Sequence, residues 1–102
     1  MPKISRIPLA PSKKEQLEER FWQALAGLHT AKEIKILLAG FFTHTEITMF
    51  AKRLAAAKML LRGDSYDDIR KALTLTDTPI TRLNNLLNEH KSFRDTIARL
   101  LG

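Results

Sequence analysis

The chain has 102 residues, 44% of them hydrophobic, and no cysteine, enough for one ordinary helical or mixed domain. The missing cysteines exclude disulfides, thiolate metal sites and cysteine nucleophiles, and no apolar run approaches the roughly 20 residues that span a bilayer. A formal charge of +6 points to a polyanionic partner.

In chain order, residues 1–11 predict a basic extended arm. They hold Lys3 and Arg6, no acid, and three prolines. Such an arm either follows a nucleic-acid backbone or packs Ile4, Ile7 and Leu9 onto a neighbour as a strap. It lacks the apolar core of a signal peptide, so a cytoplasmic location is expected.

Residues 12–102 predict a single all-α domain of six helices joined by short connections. Ser12 with Glu15 has the capping-box spacing and opens a helix through about Leu28, with Leu17, Phe21, Ala24, Leu25 and Leu28 on one stripe. Thr30 with Glu33 opens a second through about Gly40, turning Ile34, Leu37, Leu38 and Phe41 inward. Thr43 with Glu46 opens a third, longer helix that Gly63 ends. Its apolar stripe is Ile47, Phe50, Leu54, Ala57 and Leu61.

Two short helices follow between about residues 65 and 88. Ser65 with Asp68 starts the first, which turns Ile69 and Leu73 to one side. Thr74 to Asp77 interrupts the pattern, with Leu75 as an inward plug. Thr78 before Pro79 predicts the N-cap of the second, because proline suits the first helical position. At 100° per residue its Ile80, Leu83 and Leu87 gather on one side, and Thr78, Thr81, Arg82, Asn85 and Asn88 on the other. Helix, short turn and helix make a helix-turn-helix, and a face of Thr, Arg and Asn suits groove readout: Arg forks onto guanine and Asn pairs with adenine. Ser92 with Asp95 starts a last helix through about Leu101 that carries Phe93, Ile97, Leu100 and Leu101.

Phe21 and Trp22 are adjacent, as are Phe41 and Phe42, and neighbours on a helix point about 100° apart. One core serves only one member of each pair; either terminal segments fold back over the other member or two copies cross their N-terminal helices, and the homodimer is the expectation. No catalytic constellation is present: there is no Gly-rich phosphate loop, GxSxG, HExxH or CxxC. His29, His44 and His90 form no ligand-spaced pair, so neither an enzyme nor a metal site is expected.

The stretch RLAAAKMLLRGDSYDDI (Arg53 to Ile69) followed by ITRLNNLL (Ile80 to Leu87) resembles the Trp repressor superfamily, most closely its YerC/YecD-type branch. The resemblance implies a six-helix Trp repressor-like fold and an intertwined dimer. It implies DNA contacts at Arg70, Thr76, Asp77, Thr78, Thr81 and Arg82. Asp77 and Pro79 depart from the small or apolar residues of that pattern, and Asp77 would repel phosphate unless it accepts a bond from cytosine. Thr43, Arg53 and Arg82 match positions that line the family's tryptophan pocket. Leu83 and Leu86 stand where that pocket has small residues, so tryptophan is not expected as corepressor; no cofactor is named, and the effector is unknown. Arg53 would then reach a phosphate or pair with Glu46, seven residues earlier.

Residues and resemblance together predict a sequence-specific, DNA-binding transcriptional regulator, expected to repress. It would bind double-stranded DNA as a homodimer and read the major groove with the helix at about 78–88, through Arg53, Arg70, Thr76, Asp77, Thr78, Thr81, Arg82 and Asn85. The alternative is a dimeric protein-interaction module without specific DNA binding, presenting Leu86, Trp22 or the strap. The balanced charge of residues 64–102 favours that alternative.

Overall fold

The computed structural model describes residues 9–100. The arm's Lys3, Ile4, Arg6 and Ile7, and Leu101 of the last helix, lie outside the described residues. Six helices make up the described chain, with no strand among them: α1 (Pro11–Ala26), α2 (Ala31–Phe41), α3 (His44–Arg62), α4 (Tyr66–Leu73), α5 (Asp77–Glu89) and α6 (Lys91–Leu100). The fold is therefore the expected all-α one. Its helices fall into two compact units, Met1–Ile47 and Thr48–Gly102.

In the first unit the start of α1 differs from the expected one. Pro11 occupies the first helical turn, and extended Ala10 supplies the N-cap without a side-chain bond. The Ala10 carbonyl accepts the Lys14 amide at 3.0 Å. Ser12 therefore lies within the helix rather than capping it, because proline's fixed φ already sets the helical entry one residue earlier. The helix stops at Ala26, short of Leu28. The start of α2 is as expected: Thr30 Oγ1 accepts the Glu33 amide at 3.1 Å. So is that of α3, where the box closes both ways. The Glu46 amide donates to Thr43 Oγ1 at 3.1 Å, and the Thr43 amide to Glu46 Oε1 at 2.9 Å.

The apolar stripes of α1 and α2 are not buried; neither helix contains a buried residue. Leu17 and Ile34, placed inward from the sequence, are exposed, and so is Phe41 at 60%. Phe21 is half-buried, its ring 5.4 Å from that of Trp22 and 6.4 Å from that of Phe41, centroid to centroid. Trp22 itself is 59% exposed. Two helices with one connection supply too few side chains to enclose such a stripe.

The second unit holds the core. Ala56, Ile69, Leu75, Ile80 and Leu83 form one buried cluster, and Ala57, Leu87 and Ile97 form another. Leu60 and Phe93 pack against both. On α3 the expected stripe is buried at Ala57, with Ala56 beside it, and half-buried at Ile47 and Leu61, while Phe50 and Leu54 are exposed. The reason is size: alanines let neighbouring helices approach closely, which moves the bulkier residues to the flank. Fully buried Ile69 and Ile80 each contribute about 1.5–3 kcal/mol of burial and join α4 to α5.

Gly63 ends α3 as expected. At φ 93° it permits the paired bonds of a Schellman motif, Gly63 N–H to the Leu60 carbonyl and Asp64 N–H to the Met59 carbonyl. Ser65 Oγ accepts the Asp68 amide at 3.1 Å and starts α4. In the turn, Thr74 adopts left-handed φ 53°, and Leu75 plugs the core as expected.

Two later starts differ from the sequence reading. Helix α5 begins at Asp77 with Thr76 as N-cap, so Thr78 and Pro79 are its second and third residues. A helix's first amides have no intrahelical acceptor, so Pro79 loses no bond there, and the helix extends back past it. Helix α6 begins at Lys91, with the His90 carbonyl accepting the Arg94 amide at 3.1 Å. Ser92 lies inside its first turn, where its carbonyl accepts Thr96 Oγ1 at 2.8 Å.

Candidate functional site

The site is built on α5. Its inward residues Ile80, Leu83 and Leu87 are buried, which fixes the rotation of the helix. The opposite side is thereby held outward, and Thr78, Thr81, Arg82 and Asn85 are all exposed. With Asp77, Leu86 and Glu89 they line one open groove of about 490 Å³ along the helix. Five of the expected site residues therefore share a surface: Asp77, Thr78, Thr81, Arg82 and Asn85.

The other three are placed around that surface. Thr76 caps α5 through its backbone alone, and its exposed side chain makes no cap bond. Arg53, on α3, does not line the groove but lines an adjoining cavity of about 510 Å³ with Met49, Thr76, Pro79 and Phe93, and Thr78, Arg82 and Leu86 border both. Leu83 and Leu86 form part of the same wall. Sequence reasoning missed Met49 and Phe93 as lining residues. Phe93 was legible only as part of an apolar stripe, and Met49 carried no signal. Thr43 serves as the cap of α3.

Arg70 reaches the groove through an acid. From α4 its Nη1 donates to Asp77 Oδ1 at 2.5 Å, and its Nη2 to Asp67 Oδ1 at 3.2 Å. Lys71 Nζ lies 3.0 Å from the other Asp67 oxygen. Asp77, chiefly, and Asp67 raise the Arg70 guanidinium above its ordinary range. Lys71 and then Arg70 hold the Asp67 carboxyl below its own. Two cations and two acids thus neutralise one another where α4 meets α5, and this accounts locally for the balanced charge of residues 64–102.

Chemically the groove offers hydroxyls, an amide and one guanidinium, all able to bond base edges or phosphates. Among the described residues no three His, Asp or Glu side chains gather as metal ligands, and no helix is long and apolar enough to cross a membrane.

Comparison with known proteins agrees with this architecture. A family model described as Trp repressor protein matches residues 15–101. No curated protein and no solved structure matches the chain.

Proposed function

The chain belongs to the Trp repressor family, and on that footing we propose that it is a sequence-specific, DNA-binding transcriptional regulator that represses as a homodimer. Within the family the RLAAAKMLLRGDSYDDI stretch places it, in our reading, in the YerC/YecD-type branch. The observation that carries the reading is the groove of α5, where Thr78, Thr81, Arg82 and Asn85 stand together on a helix locked by buried Ile80, Leu83 and Leu87. A helix fixed in this way can enter a major groove without first ordering its side. Arg82 and Asn85 would read base edges, Thr78 and Thr81 would serve phosphates or thymine methyls, and Arg53, Arg70 and Thr76 would flank them.

The dimer rests on the uncovered apolar side chains of the first unit, Trp22, Ile36 and Phe41. Patches of that kind on small domains mark interaction surfaces. Nothing in the site activates a nucleophile or a water, so the activity proposed is binding alone, in the cytoplasm. Tryptophan is not the effector in this reading, because Leu83 and Leu86 replace the small residues of the family's tryptophan pocket.

Arg82→Ala tests the docking directly. Against a selected duplex, the loss of a bidentate base contact costs about 1–3 kcal/mol and relaxes specificity at one position. Unchanged affinity and unchanged preference would exclude α5 as the reading helix.

A further inference from the structure

The acid in the reading surface calls for its own account. Asp77 is the first residue of α5 and lines the same groove as Thr78, Thr81, Arg82 and Asn85. Its carboxylate is 63% exposed, yet Oδ1 is taken by Arg70 Nη1. A pair this open to water adds little to stability, since water and salt screen it. The two helices are already joined by buried Ile69 and Ile80. The pair is therefore poorly explained as a staple and better explained by what it does to an approaching polyanion.

We propose that Asp77 is a specificity-determining residue: it holds Arg70 in an intramolecular ion pair that a phosphate must break, and it yields Arg70 where a base offers the freed carboxylate an exocyclic amine. The inference rests on the reading of α5 as the recognition helix. On arbitrary duplex, a phosphate gains Arg70 only by leaving Asp77 unpaired beside a dense line of negative charge, so the contact returns little net energy. At the right site the amine of cytosine (N4) or adenine (N6) bonds the carboxylate in the major groove, and Arg70 turns to phosphate at no such cost. The acid weakens binding everywhere and weakens it least where its partner base is present, which is how specificity arises from a repulsive element. Asp67 and Lys71 shape the competition. Asp67 holds the second Arg70 nitrogen and Lys71 partly neutralises Asp67, so Asp77 is the acid whose loss frees the guanidinium toward the groove.

The test uses the full chain, a duplex selected by the wild type, and a scrambled duplex of equal length, over a series of salt concentrations. Asp77→Asn should raise affinity for scrambled DNA about tenfold and steepen its salt dependence by about 0.9, one phosphate contact. Affinity for the selected duplex should rise by less or fall, so the ratio between the two drops. Reselection with Asp77→Ala, which has no acceptor, should lose the cytosine or adenine at one position in each half-site, and the base lost identifies which amine Asp77 reads. In the Asp77→Asn background, Arg70→Ala should remove the added phosphate contact, lowering affinity for scrambled DNA and reducing its salt dependence again by about 0.9, whereas in the wild type Arg70→Ala should leave that slope unchanged. An unchanged ratio in Asp77→Asn, or a steepened slope that Arg70→Ala does not reverse, overturns the inference while the DNA-binding reading stands. A wild type that enriches no site overturns both.

Discussion

Arg70 on α4 donates to Asp77 at the start of α5, so the two helices of the motif are tied across their turn by an exposed ion pair 2.5 Å long. Beneath it, Ile69 and Ile80 are fully buried. These two links differ greatly in strength. Water screens the first, whereas removing buried methyls leaves a cavity. Ile80→Ala should cost about 2–5 kcal/mol in urea unfolding. Arg70→Ala and Asp77→Ala should leave the unfolding midpoint close to that of the wild type. A midpoint as low in either of these as in Ile80→Ala would show that the pair, not the core, holds the motif together.

Thr74 is the one non-glycine residue with positive φ among the described residues. A β-branched side chain in the left-handed region costs about 1–2 kcal/mol, and glycine adopts it freely. Thr74→Gly should therefore stabilise the chain, by somewhat less than that amount because glycine's unfolded state is more flexible. Thermal unfolding checks it, and a lower midpoint would contradict the assignment.

Acid should destabilise the protein at a particular cap. The Thr43 amide and hydroxyl hold the Glu46 carboxyl below the ordinary glutamate range. A folded value below the unfolded one means that ionised Glu46 stabilises the fold above roughly pH 4.3, and that this contribution disappears as pH falls through the depressed value. Asp67, held low by Lys71 and Arg70, acts in the same direction. Glu46→Gln keeps a capping-box side chain but cannot titrate. Urea midpoints followed from neutral pH into the carboxylate range should fall less steeply in Glu46→Gln, and an identical slope would remove Glu46 from the account.

The chain's single tryptophan, Trp22, reports on the proposed dimer. It is 59% exposed in one copy. On association its emission should shift to the blue, and dilution should reverse the shift. Trp22→Glu should sediment as a monomer. A wild type that sediments as a monomer at every concentration contradicts the dimer.

Tryptophan should not change the protein's affinity for a selected duplex, because Leu83 and Leu86 stand where the family's tryptophan pocket has small residues. Fluorescence anisotropy with and without saturating tryptophan measures this. A clear gain in affinity would show that the pocket accepts an indole after all.

What the sequence made legible was local. The starts at Thr30, Thr43 and Ser65 were readable because each cap bonds an amide three residues away. Gly63 was readable because few residues other than glycine take φ 93°. The same Ser-x-x-acid spacing misled at Ser12 and Ser92, where proline geometry at Pro11 and the His90 carbonyl begin the helices earlier. Thr78 was misread as a cap because proline is tolerated throughout a first turn, not only at its first residue. The face of α5 was legible from its period. The Arg70–Asp77 pair was not, since residues seven apart meet only through the geometry of the turn. Asp77 read alone was a charge that repels phosphate; in the structure that charge is already engaged.

The most direct test of the central claim is to incubate the purified protein with a random duplex pool and sequence what it retains. Enrichment of a two-fold-symmetric site whose half-sites lie about 34 Å apart is expected, with binding that weakens steeply as salt rises. No enriched sequence and weak, featureless binding at physiological salt would contradict it, and the exposed apolar surfaces would then belong to a protein-interaction module.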